Sequence, residues 1–545
     1  MDLTQKPFYL NDEQIKWVGD TLAQMSDEQK AGQLFTVLGV AYGVKELEKL
    51  VSDYHVGGVL YRPMPAEALK KKWKRLDKLA SIPLLKAANL EEGGYGATSE
   101  GTYYASQMQV SAAAELEETR RFATVCAVEG RQAGCNWNFA PVSDIDFNPQ
   151  NPITNVRTFG SDPERVCRNV VASVKTMQSY GMACACKHFP GDGVDYRDHH
   201  LHPTYNSLGA VEWYSTYGLV YMSAIEAGLL SVMVGHIVAP FVEMDADRTK
   251  SFAQCLPASQ SRTMLSEVLR KKLGFNGLII TDATIMGGYC MTMPRKQALA
   301  QTIMAGCDMF CFSTDIYEDI GYILENIKEG AITRARLDEA VTRVLALKRK
   351  LEDQNIELPE IPAAQWREEC ADKSVTLVKD TQKLVPVSAN EYPEIKLVSL
   401  GEDALAEGGS LKAIAKEYLE ANGFKVTYYE PMKDDLHGSK DLPKNRLTLM
   451  LANITTASNK TTTRIDWCEK HALEIPRFLC EEKCAMISFY NPYHLQDVPR
   501  IRTYINAYTP TRATIEASLS KLLGKSEFKG VSPVDPFCGL LDTQL

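Results

Sequence analysis

Eight apolar runs of strand length, spread over the first 315 residues, constrain this chain more than any other feature. They are QLFTVLG (33–39), VGGVLYR (56–62), PLLKAANL (83–90), CNWNFAPV (135–142), ACACKHF (183–189), SVMVGHI (231–237), GLIITDA (277–283) and DMFCFST (308–314). Each is continuous rather than alternating, as expected of strands buried on both faces of a parallel sheet. Amphipathic segments separate most of them. Around the charged run KKKWKR (70–75), for instance, Leu69, Trp73 and Leu76 recur at helical spacing, so the lysines form the solvated face of a helix. Eight β/α units in this length predict a (β/α)8 TIM-like barrel.

Polar residues gather at the far ends of these runs: Arg62, Asn89, Asp144, Lys187, His188, His236, Asp282 and Ser313. In a barrel those ends converge on one mouth, where active sites form. Downstream, a helix over 335–353 leads into QNIELPEIPAAQ (354–365), which has two prolines and no periodicity and reads as a linker. A helix near 364–375 follows. Strand-like runs then resume at 395–401, 425–431, 446–454, 484–492 and 502–509, with helical segments such as SLKAIAKEYLEANG (410–423) between them. Gly423 stands where a helix C-cap glycine belongs. These elements predict a barrel domain over 1–355, a linker and helix over 356–385, and a C-terminal α/β domain with a parallel sheet over 386–545. No GxGxxG follows the first strand of that domain, so no dinucleotide site is expected.

A formal net charge of −9 and the lack of a basic stripe argue against nucleic acid as a partner. No run reaches the ~18 apolar residues that a membrane span needs, and the N-terminus lacks a basic start followed by an apolar segment. A soluble, cytoplasmic protein is therefore expected. The 14 cysteines are scattered, and Cys184, Cys307 and Cys311 sit in apolar runs, as free buried thiols do in a reducing compartment. Cys480 and Cys484 are four apart, but no second pair completes a zinc spacing.

The densest chemistry lies in KHFPGDGVDYRDHHLHP (187–203), which holds four of the nine histidines and three aspartates. Lys187 and His188 end a strand, and Pro190, Gly191 and Gly193 turn it into a loop. Asp198 and His200 are two apart, so in an extended segment they point the same way. A carboxylate beside an imidazole fixes its tautomer and stabilises imidazolium, which makes a general acid/base pair. Asp282, carried to the end of GLIITDA, reads either as an N-cap for the next helix or as a carboxylate able to attack an anomeric carbon. The His200-x-His202 pair, with His188, His199, His236 and Asp192, also raises a metal-dependent hydrolase. A loop-borne H-x-H is a weak signal for it, and no metal is expected.

Together, KHFPGDGxxxxDxH, the preceding NPITNVRTFGSDPE (151–164) and the following GLIITDA resemble glycoside hydrolase family 3, whose usual patterns are KHFPGHGxxxxDSH, an RSFG-type segment and GLIxSDD. SFYNPYHL (488–495) and GVSPVDPF (530–537) resemble the family's C-terminal α/β sandwich domain. The resemblance implies that Asp282 is the nucleophile and that Asp198-x-His200 is the acid/base dyad of the β-N-acetylglucosaminidase branch. It also implies that Lys187, His188 and Arg157 bind sugar hydroxyls. The chain departs from the pattern at Asp192 (usually His), His199 (usually Ser) and Ala283 (often Asp). It departs again at Asn89-Leu90-Glu91-Glu92-Gly93-Gly94, where D-x-E-G-G is usual and either Asn89 or Glu91 takes the sugar grip.

The expected activity is thus a retaining exo-β-glycosidase acting on a terminal β-linked sugar, β-N-acetylglucosaminidase first, without a cofactor. Because the base would be a neutral imidazole, phosphate is a further candidate acceptor. The alternatives are a β-glucosidase, β-xylosidase or glycoside phosphorylase of the same family, a metal-dependent barrel hydrolase, and an inactive sugar-binding protein.

Overall fold

A computed structural model describes residues 1–352, 356–430, 442–456, 458–467 and 475–545. The boundary expected at residue 355 and the end of the strand expected at 425–431 lie outside the described residues. The chain divides into two compact units. One comprises 1–102, 120–145 and 163–361; the other comprises 103–119, 146–162 and 362–545.

The first unit is a closed barrel of eight parallel strands. They are β1 (Phe35–Leu38), β2 (Gly58–Leu60), β3 (Leu85–Ala88), β4 (Trp137–Asn138), β5 (Ala183–Phe189), β6 (Ser231–Val234), β7 (Leu278–Ala283) and β8 (Met309–Cys311). Each lies inside one of the eight apolar runs, and β1 pairs with β8 to close the wall. All seven residues of β5 are buried, as the unbroken run ACACKHF requires. Trp137 is fully buried, yet its indole N–H donates to Ser231 Oγ (2.8 Å), and that hydroxyl donates to the Cys184 carbonyl (2.7 Å). One hydrogen-bonded chain thus ties β4, β6 and β5 together and satisfies the buried indole N–H.

The helix outside β8, Ile316–Glu329, starts at Asp315, whose carboxylate accepts from the Tyr317 and Glu318 amides, and ends at Gly330 with φ +78°. This is an N-cap and a left-handed C-terminal glycine. The next helix, Arg334–Glu352, completes the barrel's outer layer.

The second unit contains a six-stranded sheet in the order β9 (Thr376–Asp380), β14 (Thr503–Asn506), β13 (Lys483–Ser488), β12 (Arg446–Asn453), β10 (Glu394–Gly401) and β11 (Lys425–Tyr428). Its pairs are parallel except β9–β14, which is antiparallel, so the sheet is mixed rather than purely parallel as expected. β9 follows directly on the helix Ala363–Ser374 and joins the sheet at one edge, where no βαβ crossover dictates its direction. Gly423, at φ +86°, ends the helix Leu411–Ala421 as its position in the sequence implied. No described helix is long and apolar enough to cross a membrane.

Candidate active site

β5 and β7 each deliver side chains to the C-terminal mouth of the barrel. Asp282 is the penultimate residue of β7, its side chain 13% exposed, and its Oδ1 accepts from the Ala283 amide (2.7 Å). Its Oδ2 faces two imidazoles, 3.6 Å from His188 Nε2 and 3.5 Å from His199 Nε2. Burial pushes the Asp282 carboxyl up. The rings of His188, His199, His200 and His236 outweigh that and hold it well below the usual carboxylate range. Asp282 is an anion at neutral pH.

Asp144 organises the β5 side. It is fully buried and accepts from the His188 amide (3.0 Å), His188 Nδ1 (2.7 Å) and the Asp192 amide (2.8 Å). The His188 Nδ1 proton is thereby held, and Nε2 is turned towards Asp282. Lys187, also buried, ion-pairs with Glu91 (2.5 Å), so these two expected sugar ligands meet. Asn89, half-buried, follows β3 at the same end.

The loop 190–203 carries the dyad. Gly191 has φ +123°, and a Cβ there would sit 2.0 Å from the Tyr217 ring, so only glycine makes the turn. Asp198 is buried, and its Oδ1 accepts both from the His200 amide (2.8 Å) and from His200 Nδ1 (2.6 Å). His200 is 22% exposed, with Nε2 as the ring nitrogen not engaged by Asp198. The loop is docked: the Gly287 amide donates to the His200 carbonyl (2.8 Å), and a Cβ on Gly287 would lie 2.0 Å from the Leu201 carbonyl.

Two further histidines complete the mouth. His236 is fully buried and pushed down to about 4 by burial. It is therefore neutral, and its tautomer follows from its partners: Nε2–H donates to the Ala283 carbonyl (3.1 Å), and Nδ1 accepts from Ser259 Oγ (2.9 Å). It thus holds the backbone next to Asp282. His199 had no role in the sequence reading, yet it is fully buried, pushed well below its ordinary value by burial, and set against Asp282. Only its adjacency to His200 hinted at this. The sheltering of His188 by Asp144, 44 residues earlier, had no local signal beyond both standing at strand ends.

Ser313 Oγ donates to Asp319, which also pairs with Arg295, a structural junction. Arg62 is exposed. Arg157 belongs to the second compact unit, in the 3-10 turn Asn155–Arg157, where its guanidinium donates to the Ile153 carbonyl (3.0 Å).

Known proteins resemble this chain in family and fold. The family model for the glycosyl hydrolase family 3 N-terminal domain matches residues 26–347. A Cellulomonas fimi protein described as beta-N-acetylglucosaminidase/beta-glucosidase is 40% identical over the full length of both chains. A beta-hexosaminidase of Thiobacillus denitrificans is 30% identical over 53% of this chain and 80% of its own. Among solved structures, a beta-glucoside phosphorylase (BglX) bound to 2FGlc superposes with a TM-score of 0.93 at 40% identity, covering 99% of each chain. A family 3 beta-N-acetylglucosaminidase from Paenibacillus, 24% identical, shares the fold with a TM-score of 0.77 over 95% of this chain and all of its own. The chain belongs to glycosyl hydrolase family 3.

Proposed function

We propose that this protein is a retaining, exo-acting β-glycosidase that releases a terminal β-linked sugar, N-acetylglucosamine foremost. The observation that carries the reading is the pairing of two devices in one barrel mouth: a buried anionic carboxylate, Asp282, and the 2.6 Å Asp198–His200 contact. Asp282 attacks the anomeric carbon and forms a covalent glycosyl-enzyme. His200, in its protonated form and steadied by Asp198, gives its Nε2 proton to the leaving oxygen. The imidazole, now neutral, takes a proton from water as the intermediate is hydrolysed, and configuration is retained.

Lys187, His188 and Asn89 hold the sugar hydroxyls. Glu91 fixes the Lys187 ammonium through their 2.5 Å contact. We assign the catalysis to the barrel unit. A cytoplasmic setting is supported by the buried free thiols of Cys184, Cys307 and Cys311.

A second reading is favoured by one observation: a full-length neighbour at 40% identity is a beta-glucoside phosphorylase. A neutral imidazole repels an incoming phosphate less than a carboxylate base would, so phosphate competes with water in the second step. A panel of aryl β-glycosides, N-acetylated and not, with and without phosphate, tests both. Release of free N-acetylglucosamine in phosphate-free buffer is expected. Turnover confined to non-acetylated glycosides would replace the sugar assignment. Absence of any sugar-1-phosphate in phosphate buffer would remove the second reading.

A further inference from the structure

His188, His199 and Asp282 bring three donor atoms within 4.8 Å of one another. Asp282 Oδ2 lies 3.6 Å from His188 Nε2 and 3.5 Å from His199 Nε2. Two donors bonded to a tetrahedral zinc at about 2.0–2.1 Å stand about 3.3–3.4 Å apart, so these pairs need close by only a few tenths of an ångström. Behind each ring stands a carboxylate: Asp144 at 2.7 Å from His188 Nδ1, and Asp192 at 3.8 Å from His199 Nδ1. The hydrogen bond from Asp144 selects the His188 tautomer whose Nε2 presents its lone pair, and this support is the usual companion of a metal-ligating histidine. His199 is fully buried, and neither of its nitrogens has a hydrogen-bond partner. A buried imidazole aimed at a carboxylate without a hydrogen bond is costly unless a cation joins the two.

We propose that His188 Nε2, His199 Nε2 and Asp282 Oδ2 form a binding site for a zinc-class divalent cation, which caps Asp282 and switches the enzyme off. Two imidazoles and one carboxylate suit zinc over magnesium or calcium, and three protein ligands leave a fourth position for water or a sugar oxygen. The site is distinct from the His200-x-His202 pair weighed from the sequence. His236 cannot join it, because both its nitrogens are engaged. Asp198, His199 and His200 form another close trio, but Asp198 Oδ1 and His200 Nδ1 are occupied by each other. Binding does not depend on the role of Asp282. The inhibition does, because it rests on the reading of Asp282 as nucleophile.

The test uses the full chain, stripped with a chelator and titrated with zinc chloride. Bound metal is counted by equilibrium dialysis, and the coordination is read from the visible spectrum of the cobalt-substituted protein. One zinc per chain and chelator-reversible loss of turnover are expected. His199→Ser and Asp282→Asn should each weaken binding by more than about a hundredfold, and Asp192→Asn by about tenfold. Cys290→Ser and Cys480→Ser, which remove two exposed thiols, should leave it unchanged. Equal zinc affinity in His199→Ser and the parent, with both folded by melting temperature, would overturn the site, as would absence of stoichiometric binding. Zinc bound by the trio without inhibition would overturn the capping. If zinc binds but an activated 2-fluoro β-glycoside labels a residue other than Asp282, the nucleophile assignment fails and the site stands.

Discussion

Asp308 and Asp282 belong to neighbouring parallel strands, one just before β8 and the other near the end of β7, at opposite ends of the barrel wall. Both are buried carboxylates held below their ordinary pKa range. Asp308 is saturated. Arg270 and Arg336 reach its two oxygens at 2.6 and 2.8 Å, Arg343 stands at 3.4 Å, and the Ile279 amide donates at 2.9 Å. Asp282 has one backbone donor and faces imidazoles at 3.5–3.6 Å. Asp308 is locked as structure, whereas Asp282 keeps its charge with an oxygen left for chemistry. Burial with complete pairing makes a carboxylate inert; burial with incomplete pairing makes it reactive.

The sharpest way to break this contrast is to neutralise each aspartate in turn. Asp282→Asn should lower kcat by about 10⁴-fold or more while the melting temperature stays near that of the parent. Asp308→Asn should leave three arginines around an uncharged amide and cost about 3–5 kcal/mol of stability, read by denaturant unfolding. If Asp282→Asn unfolds the chain as readily as Asp308→Asn does, the mouth is structural after all.

At the next level, His200→Ala should lower kcat/KM for poor leaving groups by about 10²–10³-fold. Much less should be lost for an activated dinitrophenyl glycoside, whose departure needs no proton. Equal losses on both substrates would remove His200 from proton transfer.

The smallest effect concerns a buried lysine. Lys348 is buried, donates to Gln33 Oε1 (2.7 Å), and is lowered by burial from 10.5 to about 7. Between those two values the unfolded chain binds the proton more than the folded one, so this lysine makes stability rise with pH across that window. The slope is at most about 1.4 kcal/mol per pH unit. Lys348→Met should flatten the parent's curve between pH 7 and 10; identical slopes in the two proteins would contradict the shift.

The barrel was legible because each of its strands is a continuous apolar run, and even the two-residue β4 lies inside CNWNFAPV. Asp282 was legible because a carboxylate closes GLIITDA. Asp198 and His200 were legible because their partners are two residues apart. What escaped the sequence depends on packing between distant segments. The grouping of 103–119 and 146–162 with the second unit leaves no periodic trace. The edge strand β9 takes its direction from its partner, β14. His199 looked idle because Asp282, the carboxylate it faces, lies far from it in sequence.

The central claim is that Asp282 forms the covalent bond to sugar. Incubating the protein with an activated 2-fluoro β-glycoside, digesting it and mapping the adduct by mass spectrometry tests this directly. The account predicts one sugar per chain, on the peptide that contains Asp282, and no adduct in Asp282→Asn. An adduct on any other residue, or full turnover of the substrate by Asp282→Asn, would contradict it.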